Sequence, residues 1–405
     1  MGELTATVVG GGIAGLASAL GLARAGWRTT VLERRTGTPE VGAGVAVPRN
    51  GQAALRALGF GDESIAEFGY ATLATGFRDT RGRRLLHIRA DSPAVRAAVA
   101  VWGFERRRLH AALRRAAEDA GVEPALGARV TGVVPGSPGG PRATVRWRAD
   151  ATEHAAEADL VVGADGMWSA VRGAVFPGAR PRYSGSTSWR ALVSDDTLDG
   201  ALVEYWGPGA EFGSMRVSAS EVYWYGYIRS PEGAVFDDEY AAVRARFAGW
   251  APEIGDLIGA TDPERLMRHD VHHLPDGLPA YVRGRVVMVG DAAHAALPTM
   301  GQGAATALED GAVLGRLVGE SVASGHDLGR ALAAFDALRR PRCRAMARQA
   351  RFVARVGADL GGGWRQAVRN AAVRLVPAQT LVRAVSPLVG WTPPRPLGAA
   401  APARD

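Results

Sequence analysis

Three glycines spaced Gly10-x-Gly12-x-x-Gly15, with Glu33 about 20 residues further on, are the first residues of this chain whose types and spacing could do chemistry. In such a set the first glycine permits a tight turn. The second lets the backbone approach a pyrophosphate, and the third allows a helix to pack closely on a strand. A helix N-terminus behind the turn offers unpaired N–H groups and a partial positive charge to phosphates. An acidic residue at the end of the next strand accepts a hydrogen bond from a ribose hydroxyl. The chemistry predicted is dinucleotide binding. The spacing alone does not separate FAD from NAD.

The elements that this reading needs are present. Residues 6–10 (Ala-Thr-Val-Val-Gly) read as a short buried strand. Residues 13–25 place Ile13, Leu16, Ala17, Leu20 and Ala23 near one helical face, and Gly26 serves as a C-cap. Thr29 to Glu33 forms a second β-rich run, completing a βαβ unit. Residues 104–121 predict another helix, ended by Gly121. Leu160 to Gly163 and Val286 to Gly290 are apolar runs feeding Gly/Asp turns. Residues 180–230 differ. They alternate and concentrate aromatics, and as a strand they put Tyr223, Tyr225 and Tyr227 on one face with Val222, Trp224 and Ile228 on the other. An antiparallel sheet inserted in an α/β domain is expected there. From about residue 328 the chain reads as arginine-faced helices broken by Pro377 and Pro387, with a frayed Pro/Ala-rich tail from Pro393 to Asp405.

Composition excludes several chemistries. Every basic residue is arginine, so no Schiff-base lysine and no Walker-A lysine exists. Cys343 is the single cysteine, which removes an intrachain disulfide and a redox-active cysteine pair. Basic residues outnumber acidic ones 48 to 41. The run Arg106-Arg107-Arg108 has no zinc-finger or RNP-like company, so no nucleic acid is expected as a partner. His269, His272 and His273 lack the spacing of a metal site, and no metal is expected. No run of about 18 apolar residues predicts a membrane span. The N-terminus enters a strand almost at once, so no leader is expected and a cytoplasmic protein is the simplest reading.

Two later segments carry a resemblance. One is Gly163-Ala-Asp165-Gly166-Met-Trp-Ser169-Ala-Val-Arg172. The other is Gly290-Asp291-Ala-Ala-His294, continuing through Pro298 and Gly301-Gln302-Gly303 to Glu309-Asp310. With the glycine fingerprint, this trio resembles the class A FAD-dependent aromatic monooxygenases, in their salicylate, 3-hydroxybenzoate and urate hydroxylase and zeaxanthin epoxidase branch. Gly42-Ala-Gly44-Val45, the helix starting at Arg106, Gly185-Ser-Thr-Ser-Trp189-Arg190 and Tyr205-Trp206-Gly-Pro-Gly209 are similar to further family segments. The resemblance covers nearly the whole chain. It implies an α/β fold: a Rossmann-like FAD-binding domain of the 4-hydroxybenzoate hydroxylase type, an inserted antiparallel-sheet substrate domain, and C-terminal helices. The division expected is 1–73, 98–177 and 283–328 for FAD, 74–97 and 178–282 for substrate, and 329–405 for the helical region.

The resemblance also assigns roles. FAD would lie against Gly10, Gly12, Ala14, Gly15, Glu33, Arg34, Val45, Arg106, Val130, Asp165, Asp291, Gly301, Gly303 and Ala304. Glu33 would take the adenosine ribose and Asp291 the ribityl chain. The helix opening at Gly301–Ala304 would face the anionic reduced flavin. Trp189, Arg190, Tyr223, Tyr225 and Pro298 would meet the substrate. Asp165 has an alternative as a helix cap, Arg106 as one more surface arginine, and the tyrosines as ordinary sheet packing. His294 is expected beneath the flavin in a structural role, and Glu309 and Asp310 as solvated or helix-pairing groups. Arg49 stands where the family usually has proline, and Ala305 where many relatives have asparagine. No catalytic base of the phenol hydroxylases matches this chain, so catalytic side chains are not assigned.

The activity implied is hydroxylation or epoxidation of an electron-rich aromatic or unsaturated small molecule through a flavin C4a-hydroperoxide, in natural-product biosynthesis. O2 and transient NADPH or NADH would be co-substrates, and the protein would be a monomer or homodimer. A reductase or oxidase of the same fold, or a non-catalytic FAD-binding protein, are the rival readings. The halogenase lysine and Trp-x-Trp-x-Ile-Pro motif are missing.

Overall fold

The computed structural model describes residues 2–37, 43–195 and 200–399. Gly42 and the tail beyond residue 399 lie outside the described residues. The glycine turn belongs to a six-stranded sheet ordered Val282–Arg283, Val286–Met288, Leu160–Gly163, Thr5–Val9, Arg28–Glu33 and Glu123–Leu126. All its neighbours pair in parallel except the first two. Val8 sits between Val31 and Val162 in register, and all three are buried. Strands covered on both faces read as unbroken apolar runs, and that is how these three could be found in the sequence. The helix Ile13–Arg24 buries Leu16, Ala17 and Leu20 against this sheet and against the helix Gly303–Val313. A three-stranded antiparallel sheet follows the helix Arg106–Asp119; its first strand, Arg129–Val134, contains Val130.

The second large sheet runs Met267–His273, Arg182–Ser194, Glu221–Arg229, Ala210–Arg216, Leu202–Gly207, Gly69–Asp79, Ala100–Glu105 and Gly44–Pro48, with Arg84–His87 on the side of Gly69–Asp79. Its pairings are antiparallel save one, Leu202–Gly207 with Gly69–Asp79. Gly44–Pro48 and Ala100–Glu105 lie within the segments expected for FAD binding, yet they are hydrogen-bonded into this sheet. Segments expected for FAD binding therefore supply the strands at one edge of this sheet.

One face of the large sheet packs on the helices Glu239–Arg246 and Pro252–Gly259 through Trp189, Phe212, Trp224 and Ile228. The other carries Tyr223, Tyr225 and Tyr227 toward Gly44, Leu297 and the long helix Leu328–Val356. The helices Trp364–Leu375 and Ala378–Val389 complete the described chain. Pro377 precedes the last helix, as expected of a breaker. Pro387 corrects the expectation, because it lies inside that helix, as Pro341 lies inside the long one. A proline near a helix end removes one N–H without ending the helix when neighbouring turns hold it.

Candidate cofactor and substrate site

The glycine turn is tied down before it meets any ligand. Gly10 N–H donates to Leu32 O at 2.8 Å, and Gly10 adopts φ +105°, open to glycine. A Cβ on Gly15 would fall 1.8 Å from Gly10 O, so only glycine lets the helix begin so close to the strand. A Cβ on Gly12 would meet nothing within 4 Å. That space lies over a helix N-terminus with no side-chain cap, and it fits a pyrophosphate on the free N–H groups. Glu33 is bound into the turn itself: Oε2 accepts Gly11 N–H at 2.8 Å and Oε1 accepts Arg35 N–H at 2.9 Å. A carboxylate has about four acceptor positions, so two remain for ribose hydroxyls. Arg34 and Arg106 are exposed, and Val130 is partly exposed.

The other two motifs converge on this turn. A Cβ on Gly10 would touch Ala164 O and Asp165 Cα, and one on Gly290 would touch Ala14 Cβ at 2.5 Å. Asp165 accepts Ala170 N–H at 2.6 Å, Val171 N–H at 3.1 Å and the Ser169 hydroxyl. Burial raises its pKa against these bonds. Its visible work is thus to cap the helix Ala170–Val175. Arg172, which sequence reasoning did not single out, is buried and reaches Ala292 O at 3.1 Å and Met167 O, lashing one motif to the other. Asp291 opens its short helix with an exposed side chain. A Cβ on Gly301, at φ +59°, would fall 3.3 Å from Ala46 Cβ, and the helix Gly303–Val313 starts without a side-chain cap. Gly303 is exposed and Ala304 half-buried, so the first N–H groups of that helix are left without a side-chain partner.

Behind that helix lies a buried charge network. Glu309 and Asp310 are 0% exposed, which corrects the expectation of solvated groups. Arg339 donates to Asp310 Oδ1 at 2.7 Å and Glu309 Oε2 at 2.5 Å; Arg342 donates to Glu309 at 2.6 and 2.7 Å. His294 Nε2 meets Asp310 Oδ2 at 2.6 Å. Burial opposes charge on both partners. The neighbouring Cys343 sulfur and the Asp310 carboxylate nonetheless hold the imidazole pKa well above its usual value, while His294 and Arg339 bring Asp310 down to about 2. His294, Asp310 and Cys343 place ligand-type atoms within 4.8 Å of one another, but Arg339 already occupies Asp310 and lies 3.5 Å from the sulfur. Asn50 Nδ2 bridges Glu309 Oε1 and Gln302 Oε1, connecting the network to the turn at the helix start. The usable sequence signal was Arg339 and Arg342, three apart on one helix.

The tyrosine face packs toward Gly44 and Leu297. Tyr223 packs against Gly44, where a Cβ would fall 2.1 Å from its ring. Burial raises its pKa against the pull of Arg190 and Arg106. Tyr225 lies 6.0 Å from Tyr223, centroid to centroid, and stands opposite Arg190 in register. Tyr227 packs with Leu297, Met300 and Ala350, next to the exposed Pro298. Trp189 is not brought to this face. It is 1% exposed on the opposite side, packed on Phe236 with Nε1 2.7 Å from Glu239. Its neighbour Arg190 takes the tyrosine side because successive strand residues alternate.

The FAD binding domain family matches residues 3–350 of this chain. The aurachin C monooxygenase/isomerase of Stigmatella aurantiaca is 36% identical over 341 residues, covering 83% of this chain and 85% of that protein. The 2-heptyl-3-hydroxy-4(1H)-quinolone synthase of Pseudomonas aeruginosa is 32% identical over 383 residues, covering 92% and 94%. Among solved structures, Klebsiella pneumoniae HpxO complexed with FAD and uric acid superposes with a TM-score of 0.83 at 27% identity, covering 95% and 96% of the two chains.

Proposed function

The chain belongs to the FAD binding domain family of class A flavin monooxygenases and is an FAD-dependent monooxygenase; from that premise we propose that it oxygenates a small, electron-rich aromatic or unsaturated molecule held between the tyrosine face and the turn at Gly301–Ala304. When bound, FAD supplies electron transfer from NAD(P)H and the activation of dioxygen, one atom of which enters the product. The protein's part is to hold, orient and keep dry. Gly12 leaves the pyrophosphate room beside the helix N-terminus, Glu33 offers its free lone pairs to the ribose, and Asp291 takes ribityl hydroxyls. Gly303 and Ala304 N–H groups favour negative charge on the pyrimidine edge. Tyr223, Tyr225 and Arg190 wall the substrate side, and Leu297 and Met300 exclude water.

The observation that carries this reading is the convergence at one groove of two uncapped helix starts, the exposed Asp291, and an aromatic sheet face seated on Gly44. Among the described residues no helix is long and apolar enough to cross a membrane. The reading includes a cytoplasmic monomer or homodimer, to be checked by fractionation and light scattering. The test of function is a substrate screen on the FAD-loaded enzyme. It reads stimulated NADH or NADPH oxidation, then product mass under labelled dioxygen. One labelled oxygen per product is expected. Steady NAD(P)H consumption without label in any product refutes it.

A further inference from the structure

The groove side of the large sheet carries two glutamates on adjacent strands. Glu204 pairs with Gly213 in register, Trp206 with Glu211, Glu211 with Tyr227, and Gly213 with Tyr225. Residues paired in register point to one face, so Glu204, Trp206, Glu211 and Tyr225 share it. Gly213 lets the Tyr225 ring lie across it, since a Cβ there would fall 2.4 Å from Tyr225 Cζ. The Tyr225 hydroxyl then donates to Glu204 Oε1 at 2.6 Å. Glu204 and Tyr225 each keep part of their surface accessible.

Glu211 has no such donor. It is 2% exposed, and among the described residues nothing donates a hydrogen bond to its carboxyl. Beside it, Trp206 Nε1 is buried with no acceptor. Both aim at Gly357, where a Cβ would lie 3.5 Å from Trp206 Cε2 and 3.6 Å from Glu211 Oε2. The charges acting on Glu211 are negative, Glu204 and Asp359; burial and these push its pKa well above the usual range, while burial against the Tyr225 bond takes Glu204 to about 7. The buried donor left unmade carries a desolvation penalty, and its place beside a carboxyl that receives no hydrogen bond calls for an explanation.

We propose that Glu204 and Glu211 are specificity-determining residues that recognise an N–H or O–H group of the aromatic substrate, with Trp206 Nε1 donating to an adjacent acceptor on it. The inference rests on the tyrosine face being the substrate wall. A site whose buried acceptors expect a donor discriminates strongly against the analogue lacking it, because the acceptor is left bare.

The test titrates the FAD-loaded enzyme, by perturbation of the flavin absorbance, with 2(1H)-quinolone and its N-methyl derivative. Wild type should bind the N–H compound about 10- to 100-fold more tightly than the N-methyl one. Glu211→Leu should reduce that preference to within about 3-fold. Glu204→Gln, which keeps an acceptor, should retain most of it. Removal of an unpaired buried carboxyl should leave the Glu211→Leu enzyme folded and at least as heat-stable as wild type. Equal binding of the N–H and N-methyl probes by wild type, no binding of the N–H probe, or a preference surviving in Glu211→Leu overturns the proposal. Labelled-oxygen incorporation, followed on the same preparation, reads the oxygenation function separately: it can stand while these titrations fail.

Discussion

Arg339→Met tests how the cofactor groove is held from behind. Met fills a similar volume, so the change removes hydrogen bonds and charge and leaves little cavity. Lost are the donations to Asp310 at 2.7 Å, Glu309 at 2.5 Å and Thr306 O at 3.2 Å, all in a fully buried setting. Breaking one member out of a buried ion set costs about 3–5 kcal/mol. Here Glu309 keeps Arg342 and Asn50, and Asp310 keeps His294 and Gly290 N–H. The remaining charges balance, so the lower end, about 3 kcal/mol, is expected. At about 2.1 cal/mol/K per residue of unfolding entropy, that lowers the melting temperature by roughly 3–4 °C. Thr306 and the Asn50–Gln302 bridge anchor the helix start, so FAD affinity should fall as well, by about 10-fold if roughly 1.4 kcal/mol of the loss is expressed there. Urea unfolding of the apo and FAD-loaded forms reads stability, and flavin fluorescence reads retention. A loss under about 1 kcal/mol in the apo form with unchanged FAD retention would refute the reasoning.

Gly12→Val should leave the apo fold intact, within about 0.5 kcal/mol, because its Cβ meets nothing. The same variant should lose FAD, which shows as colourless purified protein with a wild-type melting curve. Asp291→Ala, at an exposed position, should weaken FAD at least about 10-fold without unfolding the chain; a fully yellow mutant contradicts the site. Gly44→Ala must push the Tyr223 ring away, so turnover should drop more than flavin content; stopped-flow reduction with substrate present measures it. The network also sets a pH window. The raised pKa of His294 stabilises fully below about 6.5, its unfolded value, and is lost as pH climbs to its folded one. The depressed pKa of Asp310 stabilises above 3.8 and is lost as pH falls toward 2. Stability against pH should therefore decline on the alkaline side by up to about 1.4 kcal/mol per unit, and His294→Gln should flatten that limb in urea titrations across pH.

What could be read in advance divides along physical lines. The turn at Gly10–Gly15, its strands and its helix are local, since spacing alone sets backbone geometry there. The Tyr223-Tyr225-Tyr227 face was legible because alternation needs only that the strand be a strand. Which side each residue meets is another matter. Trp189 and Arg190 are adjacent and both belong to the sheet, but the sheet is covered on both faces, and only tertiary packing decides which covering is helix and which is groove. The His294–Asp310–Arg339 network joins residues 16 and 29 positions apart. Glu309 and Asp310 look like any polar pair on a helix until that helix is seen to be buried all round. Glu204 and Glu211 carried a usable signal, since each alternates in phase with apolar or aromatic residues of a strand; a carboxylate in such phase faces whatever the aromatics face.

The order of strands in the parallel sheet has a consequence during synthesis. Gly10 emerges from the ribosome early, but Asp291 and Gly303 follow almost 300 positions later. At about 5–20 residues per second, the nascent chain waits roughly 15–60 s before its cradle can close. Within that interval Thr5–Val9 gains both its neighbours, but Leu160–Gly163 waits for Val286–Met288 and meanwhile exposes a hydrophobic edge of the kind that invites mispairing. Cofactor loading is thus a late, nearly post-translational event. Yields of soluble protein should respond to slowed elongation and to chaperones more than to flavin supplied during growth.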